Sequence, residues 1–378
     1  MKLSGILLGL LMVPAATAVA QVPADGYYRV DNHMSGRYIY VLDDKGTIDT
    51  GASSAELRAI ELWTGHDRTL SDPASVMYFR LAQGSNEFDV TAQGTGIHKI
   101  IDYYMKVRAV SSLKDTYLLY ATNSSFTKYL ADAEAGDCEE GLLSDSGKGT
   151  WRYWRVKPIE AQGDNYFGVA PDLAADDAHY ASFYAGFPFS VASQGVSAWY
   201  VSKVDTGRAI AVISEVSGVV PAETPVIMKC SSADVSANRL DIGGAPAAPV
   251  AGNCLKGVYF CNHKYGHVNR VANDRETMRV AAILPDDKLG FVTSDVDYMP
   301  RNKAYLSVPA GSPASFTVMT EKEYRETYEA GIDDVIVDTA TDSAVYNLHG
   351  VKVADSLGEA TGLPAGIYVS NHRKFIVK

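Results

Sequence analysis

Cysteine is scarce in this chain: four thiols, Cys138, Cys230, Cys254 and Cys261, among 378 residues. A disulfide-supported fold needs a much denser set, so cross-links are not the main support, and the sequence leaves their pairing open. Basic residues are also in deficit, with 34 Lys and Arg against 45 Asp and Glu. An acidic chain repels phosphate backbones, which argues against nucleic acid as a partner. It equally disfavours adhesion to anionic membranes. Beyond the first twenty residues no apolar run approaches the ~20 residues that a membrane-spanning helix requires, so no span is expected in the mature chain.

Nucleotide and hydrolase signatures are missing as well. Gly141–Thr150, GLLSDSGKGT, has five residues between its glycines instead of the four of a phosphate-binding loop, and Gly149 stands where Ser or Thr would hold magnesium. GTGIHK (Gly94–Lys99) lacks the third glycine of a dinucleotide fingerprint. No G-x-S-x-G elbow occurs. No cofactor is expected.

What is present begins with a leader. Lys2 supplies a positive start, LSGILLGLLMVP an apolar core, and Ala18-Val19-Ala20 a small-residue cleavage site. Those three parts together read as a secretory signal peptide over residues 1–20. The mature protein is therefore expected to be exported, secreted or at the cell surface. Losing Lys2 leaves 33 of the 34 basic residues against 45 acidic ones, a net charge of −12.

Tyrosine is abundant, with 23 residues in short aromatic runs separated by Gly, Asn and Asp. Such runs predict short strands joined by tight turns, an all-β fold. Three tetrads share one pattern: YYRV (Tyr27–Val30), YFRL (Tyr78–Leu81) and YWRV (Tyr153–Val156). Strand alternation puts Tyr28/Val30, Phe79/Leu81 and Trp154/Val156 on inward faces and the Tyr/Arg pairs outward. Each tetrad precedes a second aromatic segment (RYIYV, EFDV, NYFGV), so each predicts a hairpin, and TYLLYA with TKYLADA predicts another. Recurring hairpins over residues 21–178 predict a β-trefoil-like domain, although the tetrads are unevenly spaced. Helical spacing appears in Ile97–Val107, more weakly in Ser54–Trp63, and as a polar helix in Glu321–Ala330.

Residues 179–318 carry strands at sandwich-like intervals, from ASFYAGFPFSV to NKAYLSV, and predict a β-sandwich. Residues 319–332 predict a linker helix. Residues 333–378 predict a small C-terminal β domain ending in a hairpin, IYVS to FIVK.

Candidate site residues are few. Cys261, His263 and His267 have the spacing of weak metal ligands, with Cys254 as a fourth, against the plainer reading of a strand running into a polar loop. Asp172, Asp286, Asp287, Asp295 and Asp297 offer hard oxygens for calcium without EF-hand spacing; solvated turn carboxylates explain them more simply. Tyr38, Tyr40, Trp63, Trp151 and Trp199 are candidates for stacking on sugar faces, against ordinary strand packing. No catalytic residue is assigned.

The C-terminal stretch VYNLHG-x-K-V, LPAGIYV and the basic FIVK end resembles the sorting-type domains of proteins exported by Bacteroidota through type IX secretion. That resemblance implies contact with secretion machinery. The segments GYYRV, SGRYIYVLDDKGTI, SDPASVMYFRL, HYASFYAGFPFSV, GVVPAETPVIMKCSS, LKGVYFCN and MPRNKAYLSVPAG resemble an uncharacterised group of secreted multidomain Bacteroidales proteins, for which no catalytic residue follows. The expected function is non-enzymatic binding of glycans or other surface ligands, surface proteins included. The alternatives are a secreted polysaccharide or peptide hydrolase and a structural surface component.

Overall fold

The computed structural model describes residues 23–41, 60–63, 66–82, 87–94, 105–122, 124, 127–132, 142–144, 146–175, 178–244, 247–259, 271–329, 344–370 and 373–377. These residues form strands almost throughout, and α-helix is limited to single turns, α1 (His66–Thr69) and α2 (Glu321–Tyr324). The all-β expectation holds. No helix among the described residues is long and apolar enough to cross a membrane.

The first unit has ten strands: β1 (Gly26–Asn32), β2 (Tyr38–Val41), β3 (Ile60–Trp63), β4 (Met77–Leu81), β5 (Glu87–Ala92), β6 (Met105–Ala109), β7 (Thr116–Thr122), β8 (Thr127–Ala131), β9 (Leu142–Ser144) and β10 (Tyr153–Pro158). Antiparallel pairing runs β1–β4–β5–β6–β7–β10 and returns to β1, closing six strands into a ring. The β2–β3 pair hangs from β1 and the β8–β9 pair from β7.

The three tetrads lie on β4, β1 and β10, neighbours in that ring. Five of their six inward members behave as alternation requires. Tyr28, Val30, Phe79, Trp154 and Val156 share one buried cluster with Ile39, Phe88, Val90, Leu119 and Leu130. Burying each large apolar side chain contributes about 1.5–3 kcal/mol. Trp154 also needs a partner for its indole N–H, which donates to the Leu130 carbonyl at 2.9 Å. Leu81 departs from the pattern: it ends β4 and is 45% exposed.

The outward faces carry cross-strand ion pairs. Arg80 faces Asp89 on β5 at 2.7 Å, and Asp31 on β1 meets Lys157 at 2.9 Å and Arg155. Arg29 is different. It is fully buried, donating to Ser75 Oγ at 3.0 Å, Asn165 Oδ1 at 2.9 Å and the Tyr166 carbonyl at 2.7 Å. Burial lowers its pKa to about 10.

Three local expectations change. Met105–Val107, expected at the end of a helix, belong to β6, and Ile60–Trp63 form β3; the rest of both helical segments lies outside the described residues. The segment after YWRV makes no hairpin with it. Phe167–Gly168 pairs instead with a strand of the second unit.

That second unit contains β11 (Phe167–Gly168), β12 (Leu173–Ala175), β13 (Ala178–Phe183), β14 (Phe189–Val191), β15 (Ser197–Asp205), β16 (Ile210–Glu215), β17 (Val226–Cys230), β18 (Arg239–Ile242), β19 (Leu255–Val258), β20 (Met278–Ile283), β21 (Leu289–Val292), β22 (Lys303–Ser307) and β23 (Ser315–Thr320). Its first pairing is Phe167 with Leu240, and β12 pairs with β13 across Ala175 and Ala178. Ten strands form one sheet in the order β12-β13-β17-β15-β16-β23-β21-β20-β22-β19. Every neighbour pair is antiparallel except β16–β23, which is parallel. The sheet rolls so that its far strands meet: Ser182 on β13 exchanges hydrogen bonds with the backbone of Ala304 on β22, at 2.6 and 2.7 Å.

Alternation gives this sheet two apolar faces. On β17, Val226, Met228 and Cys230 pack outward under a small sheet ordered β11-β18-β14. Ile227 faces the concave side with Val201, Phe291, Leu306 and Phe316. A bulge between Val201 and Lys203 shifts the register by one residue, so Val201 and Val204 can both face inward.

The expected linker helix is docked. Thr320 caps α2 with a reciprocal Glu323 capping box, and a π-helical turn, Arg325–Glu329, continues it. Tyr324 packs on Ile210 and Val212 and donates to Asp205 at 2.6 Å.

The first two units interlock. Arg301 grips Asp72 with both guanidinium nitrogens, Nη1 to Oδ1 at 2.7 Å and Nη2 to Oδ2 at 2.5 Å. Gln93 Oε1 accepts from Gly186 N at 3.0 Å and Asn302 Nδ2 at 3.1 Å. Tyr259 donates to the Ala92 carbonyl at 3.0 Å.

The C-terminal unit is a four-stranded sheet, β25-β24-β26-β27, of β24 (Val345–Asn347), β25 (Lys352–Ala354), β26 (Gly366–Ser370) and β27 (Arg373–Val377). The expected terminal hairpin is β26–β27. Its core is small: Val345, Ala360 and Tyr368 are buried.

Candidate functional site

The concave side of the rolled sheet does not fill completely. At one mouth it leaves a cleft of about 320 Å³, larger than two others among the described residues, of about 250 and 90 Å³. Strand register builds its floor, because residues paired across antiparallel strands share a face. Lys229 on β17 pairs with Tyr180 on β13 and with Ser197 on β15. One step along, Ile227 pairs with Trp199. Tyr180, Trp199, Ile213, Ile227, Leu289 and Val318 give the cleft an apolar and aromatic lining.

Trp199 is half-buried, and its indole N–H donates to Ser197 Oγ at 2.8 Å, which fixes the ring's tilt. The rim is polar, with Lys229, Asp287, Lys288, Thr320 and Glu323. Asp287 sits in the β20–β21 turn with a left-handed backbone, φ 61°. Glu323 arrives on α2. Its Oε2 accepts from Thr320 N at 2.8 Å and Thr320 Oγ1 at 2.7 Å. The backbone hydrogen bond from Thr320, followed by the hydroxyl's, holds its pKa below the usual carboxylate range. That suits an anionic acceptor and not a proton-donating acid.

Two other clefts flank the segment Pro300–Lys303. One of about 250 Å³ lies between the first two units, lined by Arg68, Asp72, Ser182, Arg301 and Lys303 among others. The second, about 90 Å³, is largely apolar and holds the Asp172–Lys303 ion pair of 2.7 Å.

Of the aromatic candidates, Trp199 lines the main cleft. Tyr40 is fully buried, its hydroxyl donating to Thr69 at 3.0 Å, and Tyr38 is 8% exposed; they pack with Ala74, so neither offers a ring face to a ligand. Trp151 is half-buried in the 3₁₀ stretch before β10, and its carbonyl accepts from Asn32 Nδ2 at 2.8 Å. Trp63 belongs to β3 by its backbone, and its side chain lies outside the described residues. Cys261, His263 and His267 also lie outside them. The calcium candidates stay scattered: Asp172 pairs with Lys303, Asp286 with Lys288 and Asp295 with Arg275. Among the described residues no three His, Cys, Asp or Glu side chains gather as metal ligands.

Tyr180, Lys229 and Glu323 were not legible as site residues. One signal was available: in VIMKC, Lys229 shares parity with Ile227, which puts a charge on an otherwise apolar inward face.

Compared with known proteins, the chain matches no family model and no curated protein. Three chains of solved structures match it. One belongs to a mosquitocidal holotoxin, with 9% identity and a TM-score of 0.29 over 77% of this chain and 42% of that one. This chain thus spans less than half of that protein's length, and so loose a superposition carries no argument.

Proposed function

We propose that this chain is an exported or cell-surface protein that binds glycans without transforming them, at the mouth of its rolled central sheet. The observation that carries the proposal is that Trp199 and Tyr180, from the two strands flanking β17, both line a cleft of about 320 Å³ whose rim is polar. Aromatic rings take the apolar face of a sugar, and rim groups take its hydroxyls. A cleft near the lower end of the ~300–1,000 Å³ range of ligand sites suits one or two rings.

Export rests on the leader over residues 1–20. The resemblance of residues 333–378 to sorting-type domains makes secretion machinery a partner of the C-terminal unit. A trefoil reading of the first unit is supported by the ring of six strands with hairpins on β1 and β7. A sandwich reading of the second unit is supported by the small sheet stacked on β13, β15 and β17.

Hydrolysis is the second reading, because Asp287 and Glu323 both line the cleft. A glycosidase needs one carboxyl with a raised pKa, and the hydrogen bonds on Glu323 push the other way.

The test is glycan-array screening of the chain from Gln21 onward, with Trp199→Ala and Trp199→Phe alongside. Binding weakened at least ~10-fold by Ala and largely kept by Phe is the expected outcome. Silence of the folded chain across all glycans favours the structural-component reading. Shortened glycans that disappear with Asp287→Asn favour the hydrolase.

A further inference from the structure

The charges on the rim are not evenly balanced. Lys288 has Asp286 at 3.5 Å and contributes to holding Glu323 ionised. Lys229 is exposed, and among the described residues it makes no ion pair or hydrogen bond. Register fixes its place: it stands in the same cross-strand row as Tyr180 and Ser197, one step from Trp199. Glu323 Oε1 has no hydrogen bond among the described residues, since the cap engages only Oε2. The cleft therefore presents, on β17, an ammonium without an ion pair among the described residues, together with carboxylates elsewhere in its lining.

From this we infer that the cleft selects anionic sugars, with Lys229 as the specificity-determining residue. The inference rests on the glycan-binding reading of the same site. A sugar bearing a carboxylate or sulfate places its ring on Trp199 and Tyr180 and its anion on Lys229. Its hydroxyls donate to Glu323 Oε1. A neutral sugar makes the stacking and hydroxyl contacts but leaves Lys229 unused. On a chain of net charge −11 an anion is otherwise repelled, and of the two ammonium groups in the cleft Lys288 has Asp286 beside it, which leaves Lys229 as the one without an ion-pair partner among the described residues.

The test compares galacturonate oligosaccharides, galactose oligosaccharides of the same length and their sulfated forms, titrated calorimetrically against the chain from Gln21. The expected result is a preference of about fivefold for the charged forms at low salt, the scale of one exposed ion pair. That preference shrinks towards unity near 1 M salt, where the screening length is about 3 Å. Lys229→Gln removes the preference, read as the ratio of charged to neutral affinity, and Lys229→Arg retains it. If carboxylate and sulfate gain equally, Lys229 reads charge; if carboxylate alone gains, it reads the planar acid. Equal binding of neutral and charged oligosaccharides, or a preference that survives Lys229→Gln, overturns the inference and leaves glycan binding intact. No binding of any of the three, together with silence across the glycan array, overturns the glycan reading itself.

Discussion

The clasp between Asp72 and Arg301 should be a principal determinant of how the first two units hold together. The Asp72 side chain is 9% exposed and that of Arg301 19%. Both oxygens of the carboxylate are engaged in a bidentate, charge-assisted contact. Removing one partner of a fully buried pair costs about 3–5 kcal/mol, because the other charge stays desolvated. Arg301 keeps some contact with water, so Arg301→Ala should cost less, about 2–3 kcal/mol. Asp72→Ala should cost about 1 kcal/mol more, because Asp72 Oδ1 also accepts from Ala74 N at 3.0 Å as the cap of a short 3₁₀ turn. The double variant should fall short of the sum by about 2 kcal/mol, the signature of a direct contact. Urea unfolding followed by tryptophan fluorescence measures all three, since Trp151 and Trp154 precede β11 and Trp199 follows it. The reasoning fails if Arg301→Ala shifts stability by less than about 0.5 kcal/mol, or if the two losses simply add.

Two further outcomes follow from protonation. Burial pushes the Cys230 thiol up to about 12, so alkylation near pH 8 should proceed only through opening of the structure and should accelerate on unfolding in urea; native labelling at the rate of a free thiol contradicts this. The Asp205 carboxyl is lowered to about 2, first by the Tyr324 hydroxyl and then by the Arg208 side chain. A depressed folded pKa means that this contribution is fully present above the unfolded value of ~3.9 and is lost as pH falls towards about 2, so α2 should loosen across that acid window. Tyr324→Phe should move the Asp205 titration, read by carboxyl NMR, back towards the ordinary value; an unmoved midpoint rejects the contact.

Alternation was the most readable feature of the sequence, and it placed five of the six inward tetrad members in the core, Leu81 excepted. It fixes which residues share a face but not what covers the other face. Arg29 illustrates this: its outward parity is real, yet Asn165 and Tyr166 close over it. Ile97–Val107 was misread in part because Met105, Val107 and Ala109 also fit a period of two, and pairing with β7 selects the strand. The cleft was legible only through Trp199. Tyr180, Lys229, Asp287 and Glu323 come from distant stretches of chain, and only the register of β13, β15 and β17 and the docking of α2 bring them together.

The parallel pairing of β23 has a temporal meaning. β23 lies between β16 and β21, so in the strand pairing of the described sheet it links β12, β13, β17, β15 and β16 to β21, β20, β22 and β19, which otherwise meet through contacts such as Ser182 with Ala304. The first unit is sealed in a similar way, by its last strand β10. A chain threading outward from its amino end cannot complete either body until the closing strand has emerged. For the central body that moment comes only after Thr320. A chain stalled before Ser315 would present two unsealed sheet edges at once, the state most prone to pair with a neighbour.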